Sequence, residues 1–352
     1  MSPKGKVAVL LGERLYGQGL SGPPLKTPEA VVERILAVQA QDARGAKLAV
    51  RSRTSGLDSN DVLRAFNDGS LVVSWLNRGT LHLVTRDDYP WLHALTAPRT
   101  VTANLTRLGQ EGVTPSDAEK GLRVIRKAIG DQGPMSRIEL RDLLDSKGIP
   151  TKGQAFIHVL MFSSLRGWLA RGPVKGTEQQ FVLVEDWLGK QPKVDLEKAA
   201  AEMARRYLAG HWPATDRDLA NWGGITLGQA RTGLKAIASE LEEGSEGQVK
   251  LKGSKAPAGM PPPKLLGPFD PVLHGWKSRE FLIPAEDERA VVTTNGIFRP
   301  TILVNGQVVG IWRLAAGKLE LEPFGDVSTR VRKALDIEAE DVKRFVSPDP
   351  LD

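Results

Sequence analysis

The chain of 352 residues carries five histidines and no cysteine, and that combination already narrows its chemistry. Without cysteine there is no disulfide framework, no thiolate-held zinc or iron–sulfur cluster, and no thiol nucleophile. His82, His93, His158, His211 and His274 lack the short spacing that presents metal ligands together, so no metal and no metal cofactor is expected. What remains are groups that position rather than react. Arg44, Lys47, Arg51 and Arg53 form a dense basic cluster, suited to phosphate contacts or to a solvated face. Arg205-Arg206 and Lys250, Lys252 and Lys255 are weaker phosphate candidates. His82, Asp270 and His274 could each line a cleft, and each could equally serve the fold, Asp270 by fixing a turn before Pro271. No lysine stands out as a Schiff-base nucleophile, which favours direct attack by water in any hydrolysis.

The elements that must hold these groups are legible in part. Thr27-Pro28-Glu29 is a helix start, with a capping hydroxyl, proline at the first helical position and an acid near the positive end. Apolar residues follow at Val31, Val32, Ile35, Leu36 and Val38. A second helix is predicted from Asn60 to Asn67, then strands over 71–76 and 79–84 broken at Asn77-Arg78. Two helices followed by a ribbon is the order of a winged helix-turn-helix. The pattern recurs. Helices are predicted over 116–130, 137–147 (capped by Ser136, with Glu139 three residues on) and 155–168, followed by a hairpin of 169–171 with 181–184. A third round has helices over 196–209, 216–222 and 227–241, with Thr215 and Thr226 as caps, and a charged ribbon near 248–252.

Residues 253–264 form a Pro/Gly-rich link, beyond which the pattern turns to strands. Thr301–Val304 and Gln307–Trp312 flank Asn305-Gly306, the pair that a type I′ hairpin turn demands. A strand over 319–322 and a closing helix over 327–335 complete the chain. The expected class is α+β: three tandem winged helix-turn-helix units with a C-terminal β-hairpin-rich segment. The domains expected are 1–110, 111–193, 194–264 including the link, and 265–352 including an acidic tail.

Charge fits this organisation. The net +6 combines an excess of +5 in residues 1–110, another +5 in 111–333 and −4 in 334–352, so a basic body is partly hidden by acids at the end. A basic body suits a polyanionic partner. No apolar run approaches the roughly 20 residues of a membrane span, and no secretory h-region opens the chain, so a cytoplasmic, nucleoid-associated protein without a membrane partner is expected.

Five ordered stretches then give the sequence a family likeness. They are Val38-Gln39-Ala40-Gln41; Leu76-Asn77-Arg78-Gly79-Thr80-Leu81-His82-Leu83-Val84; Trp212-Pro213-Ala214-Thr215 through Ala230-Arg231; Leu265-Leu266-Gly267-Pro268-Phe269-Asp270-Pro271; and Phe298 through Arg313. Together, from about residue 28 to about residue 325, the chain resembles the AlkZ/YcaQ family of winged-helix DNA glycosylases. The resemblance implies a C-shaped body holding duplex DNA, and hydrolysis of the N-glycosidic bond of alkylated purines, sometimes within interstrand crosslinks. It also implies a catalytic signature, Gln-x-Gln in one branch and Gln-x-Asp in another. Gln39 and Gln41 match the first form; Asp42 stands one position off the second and is at most a nearby carboxylate.

The chemistry is coherent for one class of substrate. Alkylation at N7 or N3 leaves the purine cationic, so the departing base needs little protonation. The site must mainly place water and stabilise an oxocarbenium-like transition state. A glutamine carbonyl can orient water and turn its dipole toward positive charge, though it is a poor base. Geometry adds a condition: two residues apart on a helix point about 200° apart. Either the first helix ends near Val38, as Gly45 a few residues on makes reasonable, or only one glutamine acts. The expected partner is duplex DNA bearing alkylated purines, bound by a monomer. The alternative is a non-catalytic winged-helix DNA-binding protein, a regulator or damage sensor, on the same scaffold.

Overall fold

Capping residues satisfy the helix ends much as their types dictate. Thr27 accepts a hydrogen bond from the Ala30 N–H at the start of Pro28–Ile35. Thr114 with Asp117, Ser136 with Glu139, and Thr226 with Gln229 form reciprocal capping boxes. Thr215 and Asp218 make the same exchange before Asp216–Gly223. In each, the side-chain oxygen binds an N–H that the helix itself leaves orphaned.

The structure, a computed structural model, describes residues 3–257 and 259–347. The end of the expected acidic tail, from 348, lies outside the described residues. The chain divides into two units. One comprises Met1–Val62, Ala200–Trp222 and Thr226–Asp352; the other comprises Leu63–Ala199 and Gly223–Ile225.

The second unit contains antiparallel strands in the order Leu81–Thr85, Leu71–Trp75, Leu169–Lys175, Glu178–Leu183. Leu71–Trp75 and Leu81–Thr85 are buried throughout, which accounts for their unbroken apolar and β-branched character. Helices Pro115–Gln132, Arg137–Ser146 and Ala155–Leu165 precede the hairpin of Leu169–Lys175 with Glu178–Leu183, the expected helical order ending in a wing. The hairpin strands run farther toward their turn than predicted, across an irregularity between Arg171 and Val174. A 22-residue helix, Tyr89–Gln110, was not foreseen: Pro98 inside it and its many threonines argue locally against a helix.

The first unit repeats that helical order in Asp216–Gly223, Leu227–Ala236 and the ribbon Leu241–Glu243 with Val249–Leu251. Leu227–Ala236 is shorter than predicted, because a 3₁₀ turn at Ala238–Glu240 delivers the chain into the ribbon. A four-stranded antiparallel sheet runs Lys318–Pro323, Gln307–Ala315, Thr301–Val304, Lys264–Leu266. Its Asn305-Gly306 turn has φ of 50° and 81°, the left-handed pair of a type I′ turn. The closing helix, Thr329–Val346, extends well beyond the predicted end at 335, burying Leu335, Ala339, Val342 and Phe345 along one face. The further helices that escaped prediction include Pro3–Gly17 and Ala43–Arg51. The second passes directly through the basic cluster.

Candidate active site

The helix Pro28–Ile35 stops before the glutamine pair, for a tertiary reason. Leu36 has φ 67° and ψ −45°, and the Ala37 N–H donates to the Ile35 carbonyl at 2.8 Å, closing a strained γ-turn. Gly210 lies against this end: a Cβ there would sit 2.5 Å from the Arg34 carbonyl oxygen and 3.0 Å from Ile35 Cα. Leu36 itself is completely buried, and such burial is what holds a left-handed non-glycine residue in place. Gly45, by contrast, does not end this helix; it lies in the first turn of the next one.

The chain leaves the γ-turn as a short strand, Val38–Gln39, and bends at Gln41-Asp42. Gln39 is buried and Gln41 exposed. Neither glutamine lies on a helix, so the 200° separation that applies to a helical pair does not arise at this segment. Asp42 then caps Ala43–Arg51, its Oδ1 accepting from the Gly45 N–H at 2.7 Å. That bond gives Asp42 a structural task, and it is the N-cap role its residue type favours.

The Ala43–Arg51 helix lies hard against the Leu265–Pro271 block. A Cβ on Gly45 would fall 2.3 Å from the Pro268 carbonyl oxygen, and one on Gly267 would fall 2.7 Å from Leu48 Cβ. Here the basic cluster requires correction. Arg51 does not face solvent: its guanidinium pairs with Glu338 at 2.7 Å and Asp341 at 2.8 Å on the closing helix and donates to the Leu265 carbonyl. Arg53 is buried too, and binds Asp270 through two 2.9 Å hydrogen bonds with neither side chain exposed. Neither arginine is available to a DNA phosphate, because each already neutralises internal carboxylates. Asp270 is likewise no cleft residue; besides holding Arg53 it accepts from the Val272 N–H, fixing the turn before Leu273. Part of the acidity near the C-terminus is therefore the counter-charge of Arg51.

Arg44 is exposed and Lys47 half-buried, its ammonium pKa lowered by burial. Asp42 and Arg44 form one wall of a cleft of about 530 Å³, whose other walls include Phe269, Phe298, Arg299 and Arg313. Phe269 adopts φ 56°, and its ring centroid lies 5.8 Å from that of Phe298. Half-buried His274 meets Phe298 edge-on at 5.0 Å. Gln39 and Gln41 are not among the walls, but Asp42 follows Gln41 directly. The cleft thus joins residues from three of the five sequence blocks or their immediate neighbours. Sequence reading passed over Phe269, Phe298 and Arg299, although all three lie inside those blocks. An aromatic pair split between two of them was the available signal.

His82, in the other unit, is buried, its Nδ1 3.0 Å from the Thr80 carbonyl oxygen. Burial, helped by the nearby Arg78 charge, pushes its pKa down to about 3. It stays neutral at ordinary pH and has no proton to give as an imidazolium. The weaker phosphate candidates are largely engaged. Arg205 pairs with Glu240, Lys250 with Glu13 at 3.1 Å, and Lys252 donates to the Ser239 carbonyl. Arg206 donates to the Glu33 carbonyl, and Lys255 is exposed. Among the described residues no group of three or more His, Asp or Glu side chains is arranged to hold a metal ion, and no helix is long and apolar enough to cross a membrane.

An aromatic-lined cleft with exposed arginines has the chemistry to meet a flat ring and an anion. Comparison with known proteins identifies the family. The family model described as DNA glycosylase AlkZ-like matches residues 32–345. A curated protein of Streptomyces sahachiroi, an interstrand DNA cross-link repair glycosylase, is 29% identical over 346 residues, covering 91% of this chain and 92% of its own length. The solved structure of the Streptomyces sahachiroi DNA glycosylase AlkZ superposes with a TM-score of 0.80 at 26% identity, covering 98% of each chain.

Proposed function

Because the chain belongs to the AlkZ-like family of DNA glycosylases, we propose that it hydrolyses the N-glycosidic bond of cationic N-alkylated purines in duplex DNA, with water positioned by Gln39 and Gln41. The observation that carries this reading is the release of the Gln-x-Gln segment from the preceding helix at Leu36, which puts both amides on non-helical backbone immediately before the cleft. N7- and N3-adducts are the substrates the site suits, and bulky adducts or crosslinked purines of the same charge fall within that class.

In this reading the bond from C1′ to the purine nitrogen breaks with its electron pair passing to the base, cancelling the base's positive charge. Water forms the new bond to C1′, and its proton passes to solvent. The products are free base and an abasic site. The amide carbonyls of Gln39 and Gln41 orient the water and oppose their dipoles to the oxocarbenium-like sugar. Phe269 and Phe298 offer faces on which an extruded base can stack, and Arg44 and Arg299 lie where the flanking phosphates can be met. Neutral His82 and the capping carboxylate of Asp42 take no part in proton transfer. The reaction needs no cofactor, since the leaving group arrives already activated.

The experiment is release of free base from duplex DNA containing N7-methylguanine, measured for wild type and for the Gln39→Ala, Gln41→Ala double variant. Rapid release by wild type and its collapse in the variant are expected. Tight duplex binding without release from any N-alkylpurine would favour a non-catalytic DNA-binding protein instead.

A further inference from the structure

A second polar cleft, of about 510 Å³, opens elsewhere in the first unit, and Arg14 on the Pro3–Gly17 helix forms its base. Arg14 is only 6% exposed, yet among the described residues its guanidinium enters no ion pair within 4 Å. Of its five N–H donors, one reaches the Pro213 carbonyl at a long 3.5 Å, and Nε is buried with no acceptor. The group lies 4.7 Å from the Trp276 ring centroid and 4.2 Å from that of Phe281. Ring faces attract a cation, but they accept none of its directed hydrogen bonds. Burial accordingly lowers its pKa to about 10, against the opposing pull of Asp218 and Tyr207.

The rest of the cleft favours an anion. Arg217 and Lys277 line it, both exposed and neither held in an ion pair within the described residues. The fourth cation there, Arg279, is already paired with Glu288 at 2.7 Å. Of the remaining acids, Asp218 accepts from the backbone N–H groups of Thr215 and Lys277, leaving exposed Glu280. Ser278 and Gln248 add neutral donors at the wall. A buried fork of donors with no direct ion pair, beside two exposed cations, is an arrangement suited to a tetrahedral oxyanion.

We propose that Arg14, Arg217 and Lys277 form a phosphate-binding site, distinct from the Asp42–Phe269–Phe298 cleft. Its occupant is either a backbone phosphodiester of the bound duplex or a free phosphate group. The duplex source rests on the glycosylase reading; the phosphate chemistry does not.

The test uses the full chain and two probes, inorganic phosphate followed by calorimetry and an unmodified duplex followed by fluorescence anisotropy across a salt series. The variants are Arg14→Met and Lys277→Met, with Lys333→Met, an exposed lysine on the closing helix, as a charge-matched control. Wild type is expected to bind inorganic phosphate saturably, and both site variants are expected to lose that binding. If the duplex supplies the phosphate, each site variant also weakens duplex affinity roughly tenfold. The log–log salt slope then becomes shallower by about 0.9. If the duplex readouts do not move while phosphate binding is lost, the site stands and its occupant is a free phosphate. Absence of saturable phosphate binding together with unchanged duplex affinity overturns the proposal, as do equal effects in the control. Should Arg14→Met fail to fold, Lys277→Met alone decides by the same readouts. Base release from N7-methylguanine is scored separately, so its absence counts against the glycosylase reading and leaves the phosphate result untouched.

Discussion

Arg53 holds Asp270 in a two-point grip, both bonds 2.9 Å, with no solvent at either side chain. The same guanidinium donates to the Gln18 and Ala49 carbonyls, tying three separated segments to one charge. Removing one member of such a pair strands the other without a counter-charge. Asp270→Asn is expected to lower unfolding free energy by about 3–5 kcal/mol. The double replacement Arg53→Met, Asp270→Leu is expected to recover most of that loss. Denaturant unfolding of the two variants beside wild type checks this. A single variant within experimental error of wild type would show that the pair is not what secures the turn at Pro271.

Asp42 separates two roles that one carboxylate can play. As an N-cap it is replaceable by asparagine, which caps equally well; as a base it is not. Asp42→Asn should therefore keep both stability and base release, whereas Asp42→Ala should lose about 1 kcal/mol of stability through the unbound Gly45 N–H. Loss of activity in a fully stable Asp42→Asn protein would return the carboxylate to the chemistry.

Gly45 tests the seating of the helix behind the glutamines. A methyl group there would lie 2.3 Å from the Pro268 carbonyl, and backbone must move to admit it. Gly45→Ala is expected to cost on the order of 1–3 kcal/mol, despite alanine's better helix propensity. It should also slow base release by displacing the Asp42 end of the cleft. A stabilised Gly45→Ala protein would refute the close packing.

His82 should mark stability rather than rate. Its folded pKa, about 3, lies below the unfolded value of 6.5, so the unfolded chain binds the extra proton between those limits. Stability is complete above 6.5 and falls as pH drops, by up to about 1.4 kcal/mol per unit from this one group. His93, also lowered by burial, acts in the same direction. Unfolding measured from pH 7 to pH 4 should show a steeper decline in wild type than in His82→Gln. The pH dependence of base release from 6 to 9 should be the same in His82→Gln as in wild type, since neither amide titrates there and any limb from the N1 proton of an N7-alkylated guanine belongs to the substrate. A rate limb near 6.5 that vanishes in His82→Gln would place the histidine in the reaction.

Helix starts and turns were readable from the sequence because their forces act within about four residues. Ser136 with Glu139, Thr226 with Gln229, and the Asn305-Gly306 turn each carry their partner or their backbone preference locally. The Ala43–Arg51 helix was missed where its arginines and lysine resemble a solvated run. Its packing surface is the distant Leu265–Pro271 block, visible only through the space denied to Gly45 and Gly267. The residues Gln39 and Gln41 were found by likeness to a family, but nothing local could say that Leu36 releases them from the helix.

Composition and order alone determined a chain without thiol chemistry, a train of short capped helices ending in ribbons, and a C-terminal hairpin. Which charges face solvent was settled only by the tertiary structure. Arg53 and Asp270 are separated by 217 positions, and Arg51 and Glu338 by 287, so no window of sequence reveals that these bases are internal. Arg14 shows the converse: its neighbours in sequence do not disclose a buried cation that, among the described residues, makes no direct ion pair. A charge's role depends on what shares its low-dielectric surroundings, and folding assembles those surroundings from distant parts of the chain.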